Sequence, residues 1–146
     1  GNLPLVAGRT KRYETGEIHV LSKWKWASVL ALASLVMACG GGGAPTARGA
    51  IAYDPSTQSG AIVVNYASQP EANSDALSAC GAAGCAVVLE FSGNGTCGAI
   101  SVSGNGAWGA ASGGSKELAD SRAVADCQKR GGGSCVIPHG LETQCN

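Results

Sequence analysis

The residues of this chain with the most chemistry to offer are its seven cysteines. A cysteine thiol can form a disulfide, bind a metal ion or carry a covalently attached lipid. Cys39 stands apart because it directly follows an apolar run, whereas the other six lie further along the chain. These six are Cys80, Cys85, Cys97, Cys127, Cys135 and Cys145. An even set of six can pair completely in an oxidising compartment, so Cys39 is free for another use.

An internal repeat orders the six cysteines. Residues 68–88 (SQPEANSDALSACGAAGCAVV) predict a capped helix ending in a cysteine, a short loop and a second cysteine that opens a strand, and residues 115–137 (SKELADSRAVADCQKRGGGSCVI) repeat that order. Six cysteines allow fifteen connectivities. The repeat favours Cys80–Cys85 and Cys127–Cys135, which leaves Cys97–Cys145. A zinc site usually has closer ligand spacing and needs thiolates, so disulfides are the preferred interpretation.

The stretch before Cys39 has the pattern of an export signal. Lys23 and Lys25 precede the apolar run ASVLALASLVMA at residues 27–38, which has signal-peptide length and is short for a membrane span. The run ends in VMACG at residues 36–40, which resembles a bacterial lipobox, with a thiol to carry a diacylglyceryl group. Residues 21–38 are therefore interpreted as a lipoprotein signal peptide and Cys39 as the lipid attachment site. An ordinary cleaved signal and a short uncleaved anchor are the alternatives.

The lipoprotein interpretation implies a location in the bacterial cell envelope, periplasmic or cell-surface facing, with membrane contact through the lipid anchor only. Five of the ten basic residues and two of the ten acidic residues precede Cys39. The remainder carries five basic and eight acidic side chains, a net charge of about −3 with ordinary pKa values. Because nucleic-acid binding requires a basic face, this balance argues against a nucleic-acid partner.

The elements beyond Cys39 predict one small domain. Residues 1–20 form an extension of uncertain role, residues 39–48 a glycine-rich tether, and residues 49–146 the folded part. Each helix buries mostly alanine and must therefore lie close to its sheet. The expected fold class is α+β: a duplicated strand-strand-helix-strand unit forming one antiparallel sheet, with two helices on one face and disulfides as staples.

Several of these segments together resemble a known family. They are GAIAY from residue 49, the two alanine-rich helices that end in cysteine, CGAI from residue 97, the glycine and tryptophan hairpin, and CVI from residue 135. Residues 49–145 are similar in this order and spacing to domain-of-unknown-function family 4189. The resemblance implies secretion or envelope attachment in bacteria. It supplies no catalytic residue.

Three sets of residues are candidates for catalysis or cofactor binding. GNGAWG at residues 104–109 matches GxGxxG, but a strand follows it and no parallel β-α-β unit surrounds it, so a hairpin turn is favoured over a nucleotide site. His139 with Ser134 and Glu142 is the hydrolase alternative, although nothing resembles a nucleophile elbow. Asp54, Glu90 and Glu142 are candidates for glycoside chemistry if two of them lie close together. No cofactor and no metal site is expected.

Two aromatic residues are the candidate contacts. Trp108 lies in a hairpin of glycine and alanine with few large neighbours, and Tyr53 lies in the first strand. An exposed ring would anchor a partner, whereas a buried ring would fill space left by alanine. The favoured function is a non-catalytic binding or inhibitory module with a protein or glycan partner outside the cytoplasm. A small extracytoplasmic hydrolase using His139 and a structural envelope protein without a soluble ligand are the alternatives.

Overall fold

The computed structural model describes residues 43–146. The elements are β1 (Arg48–Asp54), β2 (Ser59–Tyr66), α1 (Gln69–Cys80), β3 (Ala86–Ser92), β4 (Cys97–Ser103), β5 (Trp108–Gly113), α2 (Lys116–Lys129), β6 (Cys135–Val136) and β7 (Gln144–Cys145). The predictions for the N-terminal extension, the signal peptide and Cys39 lie outside the described residues. Within residues 43–146, no helix has the length and apolarity needed to cross a membrane.

The strands form two antiparallel sheets. The first has the order β2-β1-β3, and the second has the order β5-β4-β6, with β7 also paired to β4. The α+β class is therefore confirmed. The single sheet with both helices on one face is wrong, because each half of the chain builds its own sheet and carries its own helix. Both halves have the element order strand-strand-helix-strand; duplication of an ancestral unit stays a prediction.

Side-chain alternation along the central strands explains the two sheets. In β1, Ala50 and Ala52 pack with α1, whereas Ile51 and Tyr53 point to the opposite face and pack with Ile100 of β4. Successive strand residues face opposite sides, so β1 is buried on both. The second sheet packs alanines against α2 in the same way. The result is four layers in the order helix, sheet, sheet, helix.

Both helix starts and the end of α1 are where the sequence predicted them, whereas α2 continues past Cys127 to Lys129. Ser68 caps α1: its hydroxyl accepts a hydrogen bond from the Glu71 amide at 3.5 Å and donates to a Glu71 carboxylate oxygen at 2.9 Å. Gly81 ends that helix with a φ of 71°, a left-handed conformation that suits glycine. Ser115 caps α2, where its hydroxyl accepts a hydrogen bond from the Leu118 amide at 3.2 Å. The caps satisfy amides that a helix leaves without intrahelical partners.

Glycine and alanine set the distance between α2 and its sheet. A side-chain carbon at Gly109 of β5 would lie 2.7 Å from the carbonyl oxygen of Ala123 in α2. The helix backbone therefore rests directly on the strand, as the alanine-rich face predicts. Between the sheets the same device makes room for one large ring, since side chains at Gly49 or Gly98 would collide with the ring of Phe91.

The three disulfides have the predicted pairing. Cys80–Cys85 and Cys127–Cys135 each close the loop between a helix and the following strand, and Cys97–Cys145 joins β4 to β7. Each pair lies within one half of the chain, so the half-domains are stapled separately. Contacts between the two sheets rest on non-covalent packing of the central cluster.

The close contact between Gly109 and α2 predicts a large effect of a single methyl group. Gly109→Ala should reduce the free energy of unfolding by about 1–3 kcal/mol because the helix must move outward. Gly104→Ala is the matched control, since nothing lies within 4 Å of its added carbon. Urea unfolding followed by circular dichroism measures both. Equal midpoints for the two variants would contradict the packing described.

The disulfides should differ in their contribution to stability. Replacing both cysteines by alanine should cost about 4 kcal/mol for Cys97–Cys145, with a separation of 48, and about 2 kcal/mol for Cys80–Cys85, with a separation of 5. The longer loop loses more chain entropy in the denatured state when it is cross-linked. Unfolding midpoints of the two double variants test this order, and a reversed order would refute it.

Candidate binding surface

The sandwich has two different ends. At one end, the Ala47 carbonyl accepts hydrogen bonds from the Gly93 amide at 3.0 Å and from the Asn146 side chain at 3.3 Å. We call this the tether end, because the chain enters the domain here. We call the opposite end the distal end. It consists of residues 54–59, 81–85, 104–107 and 130–135, the connections at which β1, α1, β4 and α2 finish.

Two aromatic rings and an arginine meet at the distal end. The ring centroids of Tyr53 and Trp108 are 5.6 Å apart with an interplanar angle of 55°. The guanidinium carbon of Arg130 lies 4.7 Å from the Trp108 centroid, a cation–π arrangement. Trp108 is half-buried against the central cluster, so it fills space in the core and also reaches the surface. Its role as a partner contact stays a prediction.

Tyr53 is buried with an exposed fraction of 3%. Burial disfavours the phenolate, and the neighbouring negative charge of Asp54 acts in the same direction, so both raise the pKa of Tyr53. Tyr53 therefore supports the Trp108 ring from within the sandwich. Little of its own surface is available to a partner.

Two side chains of α2 and that of its C-cap residue, Arg130, line the outer edge of β5. Arg122 donates to the Ser112 carbonyl at 2.9 Å, and the Asp126 carboxylate accepts from the Ala110 amide at 3.3 Å. Arg130 pairs with Asp126 at 3.0 Å and continues onto Trp108. Residues 122, 126 and 130 recur every fourth position and so share one helix face. Sequence reasoning missed this row, although its spacing was visible.

Asp54 organises the β1–β2 turn at the distal end. Its carboxylate accepts from the Ser56 hydroxyl at 2.7 Å, the Ser56 amide at 2.9 Å and the Thr57 hydroxyl at 2.8 Å. These hydrogen bonds, led by that of the Ser56 side chain, lower the pKa of Asp54. Gly84 lies so close that a side-chain carbon there would be 2.8 Å from the carboxyl carbon. Asp54 therefore holds the turn together, and Gly84 of the Cys80–Cys85 loop packs closely against its carboxylate.

The three glycoside candidates have separate surroundings. Asp54 is engaged in its turn, Glu90 accepts from the Asn73 side chain of α1 at 2.5 Å, and Glu142 lies in the segment between β6 and β7. Each of these carboxylates lies beside a different element, so the contacts within residues 43–146 bring no two of them together as an acid–base pair.

The hydrolase candidates are also poorly placed for catalysis. His139 Nδ1 lies 3.0 Å from a carboxylate oxygen of Glu142, but the His139 side chain is fully exposed. Ser134 lies in the Cys127–Cys135 loop, and its hydroxyl has no recorded hydrogen bond to His139 within residues 43–146. A solvated imidazole without an ordered nucleophile lacks the positioning that a triad requires.

A groove not foreseen from the sequence lies between β2 and residues 140–144, which lead into β7. Its volume is about 310 Å³, and we call it the β2 groove. It is lined by Gly60, Ala61, Ile62, Val64, Gly140, Leu141, Glu142 and Gln144. The two walls are far apart along the chain, so no local sequence pattern could have revealed it.

The cysteines and the GNGAWG motif have structural roles in the described part of the chain. All six cysteines of residues 43–146 are in disulfides, and no group of three or more histidine, cysteine or acidic side chains there could hold a metal ion. Residues 104–107 make the β4–β5 hairpin turn, closed by a hydrogen bond of 2.8 Å from the Ser103 amide to the Ala107 carbonyl. The glycines of this motif therefore serve a turn, as the sequence predicted.

The lowered pKa of Asp54 predicts a pH effect on stability. A group whose folded-state pKa is lowered stabilises the fold above its ordinary pKa, about 3.9 for aspartate, and loses that contribution as the pH falls through the folded value. Asp54→Asn should therefore be less stable than the parent at pH 7, and the difference should shrink below about pH 3. Urea unfolding at both pH values measures this. A difference independent of pH would assign the effect to packing instead.

Comparison with known proteins gives one family. No match was found among curated proteins or among solved structures. Residues 49–141, more than half of the chain, match the family described as Domain of unknown function (DUF4189). This range runs from β1 through the segment that contains Leu141 of the β2 groove. The chain therefore belongs to the DUF4189 family.

Proposed function

We propose that this protein is a lipid-anchored bacterial envelope protein whose domain binds a partner protein outside the cytoplasm without catalysing a reaction. The observation that carries the proposal is the opposite placement of the chain entry and the distal end. A lipid on Cys39 and a tether of residues 39–48 would hold the domain at Ala47. The distal end, with Trp108 and Arg130, would then face away from the membrane.

The redox chemistry of the domain supports export. Three disulfides among the described residues indicate folding in an oxidising compartment, because cytosolic thiols are normally kept reduced. The apolar run and the lipobox-like residues before Cys39 agree with that compartment.

The distal end is suited to binding because it is rigid. The Cys80–Cys85 and Cys127–Cys135 disulfides close two of its loops, and Asp54 fixes a third. Loops that are ordered in advance lose little conformational entropy when a partner binds.

The chemistry of this end favours a protein over a glycan. Arg130 covers one face of Trp108, and Tyr53 packs against the ring at a tilt. A sugar ring would need a free indole face for stacking. Tryptophan and arginine are enriched where protein partners bind, and the partly exposed Asp126 adds an acceptor beside them.

The anchor has its own test. Cys39→Ala should move the protein from the membrane fraction to the soluble extracytoplasmic fraction, because no thiol remains to carry lipid. Cell fractionation with immunoblotting measures this, and Cys39→Ser should behave in the same way. Membrane retention of both variants would contradict lipid attachment at this residue.

The orientation of binding is tested by photo-crosslinking in cells. A photoreactive amino acid replaces Ser134 at the distal end or Ser92 at the tether end, both of which are exposed. We expect a discrete protein adduct from position 134 and none from position 92. Equal adducts from both positions would contradict the orientation, and recovery on isolated peptidoglycan instead of a protein adduct would assign a glycan partner.

The contribution of Arg130 is tested with a charge-matched pair. Each of Arg130→Ala and Lys116→Ala removes one positive charge, the first at the C-cap of α2 and the second at the first residue of that helix. Arg130→Ala should reduce the position-134 adduct several-fold because it uncovers Trp108 and frees Asp126. Lys116→Ala should leave the adduct unchanged, and equal losses in both variants would show a general charge effect.

A further inference from the structure

The edge strands β5 and β2 differ in whether side chains of the neighbouring helix hydrogen-bond to their backbone groups. An edge strand presents amide and carbonyl groups that another strand can pair with. At β5, the side chains of Arg122 and Asp126 occupy such groups on Ser112 and Ala110. In this way α2 supplies the hydrogen bonds that a neighbouring strand would make.

At β2 the corresponding helix supplies no such cover. When Cys80 is aligned with Cys127, the positions of α1 and its following loop that correspond to 122, 126 and 130 hold Asp75, Ala79 and Ala83. Asp75 accepts a hydrogen bond from the Tyr66 hydroxyl at 2.5 Å, near the end of β2. The two alanines have no polar side-chain atom.

The backbone of β2 is correspondingly open in its middle. Apart from the ladder with β1, the backbone hydrogen bonds of β2 within residues 43–146 involve its ends: the Ser59 amide donates to the Thr57 hydroxyl at 3.4 Å, and the Asn65 amide donates to the Asn146 side chain at 3.0 Å. In an antiparallel edge strand, every second residue directs its amide and carbonyl away from the sheet. Residues 60–64 therefore offer a short run of free pairing groups.

The β2 groove lies beside this open run. Ile62 and Val64 line it and also pack against the central cluster with Leu141. Residues spaced by two on a strand share one face, so the floor presents apolar surface at the repeat of an extended peptide. Glu142 and Gln144 lie on the opposite wall, and no basic residue lines the groove.

Glu142 is the one charged residue among those that line the groove, and its carboxylate also contacts His139 Nδ1 at 3.0 Å. Glu142 is exposed to 59%, and its carboxylate accepts from the Gly140 amide at 3.0 Å. That backbone hydrogen bond is the main cause that lowers the pKa of Glu142, so the group is ionised at neutral pH. A second copy of this chain would bring a second Glu142 to the same place, which disfavours pairing of two β2 edges.

We propose that the β2 groove binds an extended segment of a partner protein by strand addition to residues 60–64. Such a segment would place apolar side chains over Ile62 and Val64 and a lysine or arginine beside Glu142. Backbone pairing would supply the affinity, and the groove floor and Glu142 would supply the selectivity. This site is separate from the distal end and does not depend on Trp108 or Arg130.

The backbone part of the proposal is tested with synthetic hexapeptides. The parent peptide is acetyl-Val-Thr-Val-Thr-Val-Lys-amide with a fluorescent label, and the protein is the full chain expressed in bacteria and purified in detergent. In one further peptide, N-methyl groups block the backbone amides that point to one edge of the extended strand. In another, they block the amides that point to the opposite edge. Fluorescence anisotropy should show binding of the parent and of one methylated peptide, with the other at least tenfold weaker.

Other outcomes of that experiment overturn strand addition. Equal binding of both methylated peptides would assign the affinity to side-chain adhesion, and no binding of the parent would exclude the site. Hydrogen exchange supplies a second readout, since amides of residues 60–64 should become protected with peptide and those of β5 should not. If the protein forms a dimer in the absence of peptide, the β2 edge would be assigned to pairing with a second copy of the chain.

The charge part is tested by substitutions that keep the side-chain size. The parent protein should prefer the lysine peptide to its glutamate counterpart by about threefold to tenfold, as expected for one partly exposed ion pair and its reversal. Glu142→Gln should reduce that ratio to near one while keeping a hydrogen-bond acceptor for Gly140. Glu117→Gln, at an exposed carboxylate on α2, should keep the preference, and loss of the ratio in both variants would overturn the role of Glu142.

Arg130→Ala separates this proposal from the proposed function. This variant should bind the hexapeptide as the parent protein does, while the photo-crosslinked adduct from position 134 decreases. Loss of peptide binding in this variant would show that the two surfaces are one site.

Discussion

The constraint on which the structure depends is that β1 and β4 are buried on both faces. A strand in this position must offer small side chains to its helix and large ones to the opposite sheet. β1 does so with Ala50 and Ala52 on one side and Ile51 and Tyr53 on the other. Because both sides are apolar, neither sheet is stable alone with one face in water, and the two halves must stack.

The same constraint decides how much the sequence could predict. The caps at Ser68 and Ser115, the cysteine pairing and the hairpin at residues 104–107 follow from local signals, and all agree with the structure. The number of sheets does not follow from them, because a strand buried on both faces gives an apolar run with no alternation between apolar and polar residues. The alternation in β1 is between small residues, which face α1, and large apolar residues, which face the second sheet.

The candidate surfaces divide in a similar way. Trp108 was singled out because a large ring among glycines is visible in the sequence, but its contact with Arg130 depends on where α2 ends. His139 drew attention by its chemistry, yet its exposure places it outside any ordered site. The β2 groove depends on Leu141 and Glu142 lying beside a strand about eighty residues earlier. The spacing of neighbouring residues in the sequence does not indicate a contact between segments this far apart along the chain.

The position of β1 also determines how the domain would respond to mechanical load. The chain enters at Arg48, the first residue of β1, and β1 lies between β2 and β3. Hydrogen bonds in antiparallel ladders run perpendicular to the strands, so tension along β1 strains both ladders in shear and must break many bonds together. In the proposed arrangement, a pull between the membrane tether and a partner at the distal end would meet this resistant geometry, whereas a tether attached to an edge strand would separate one ladder bond by bond.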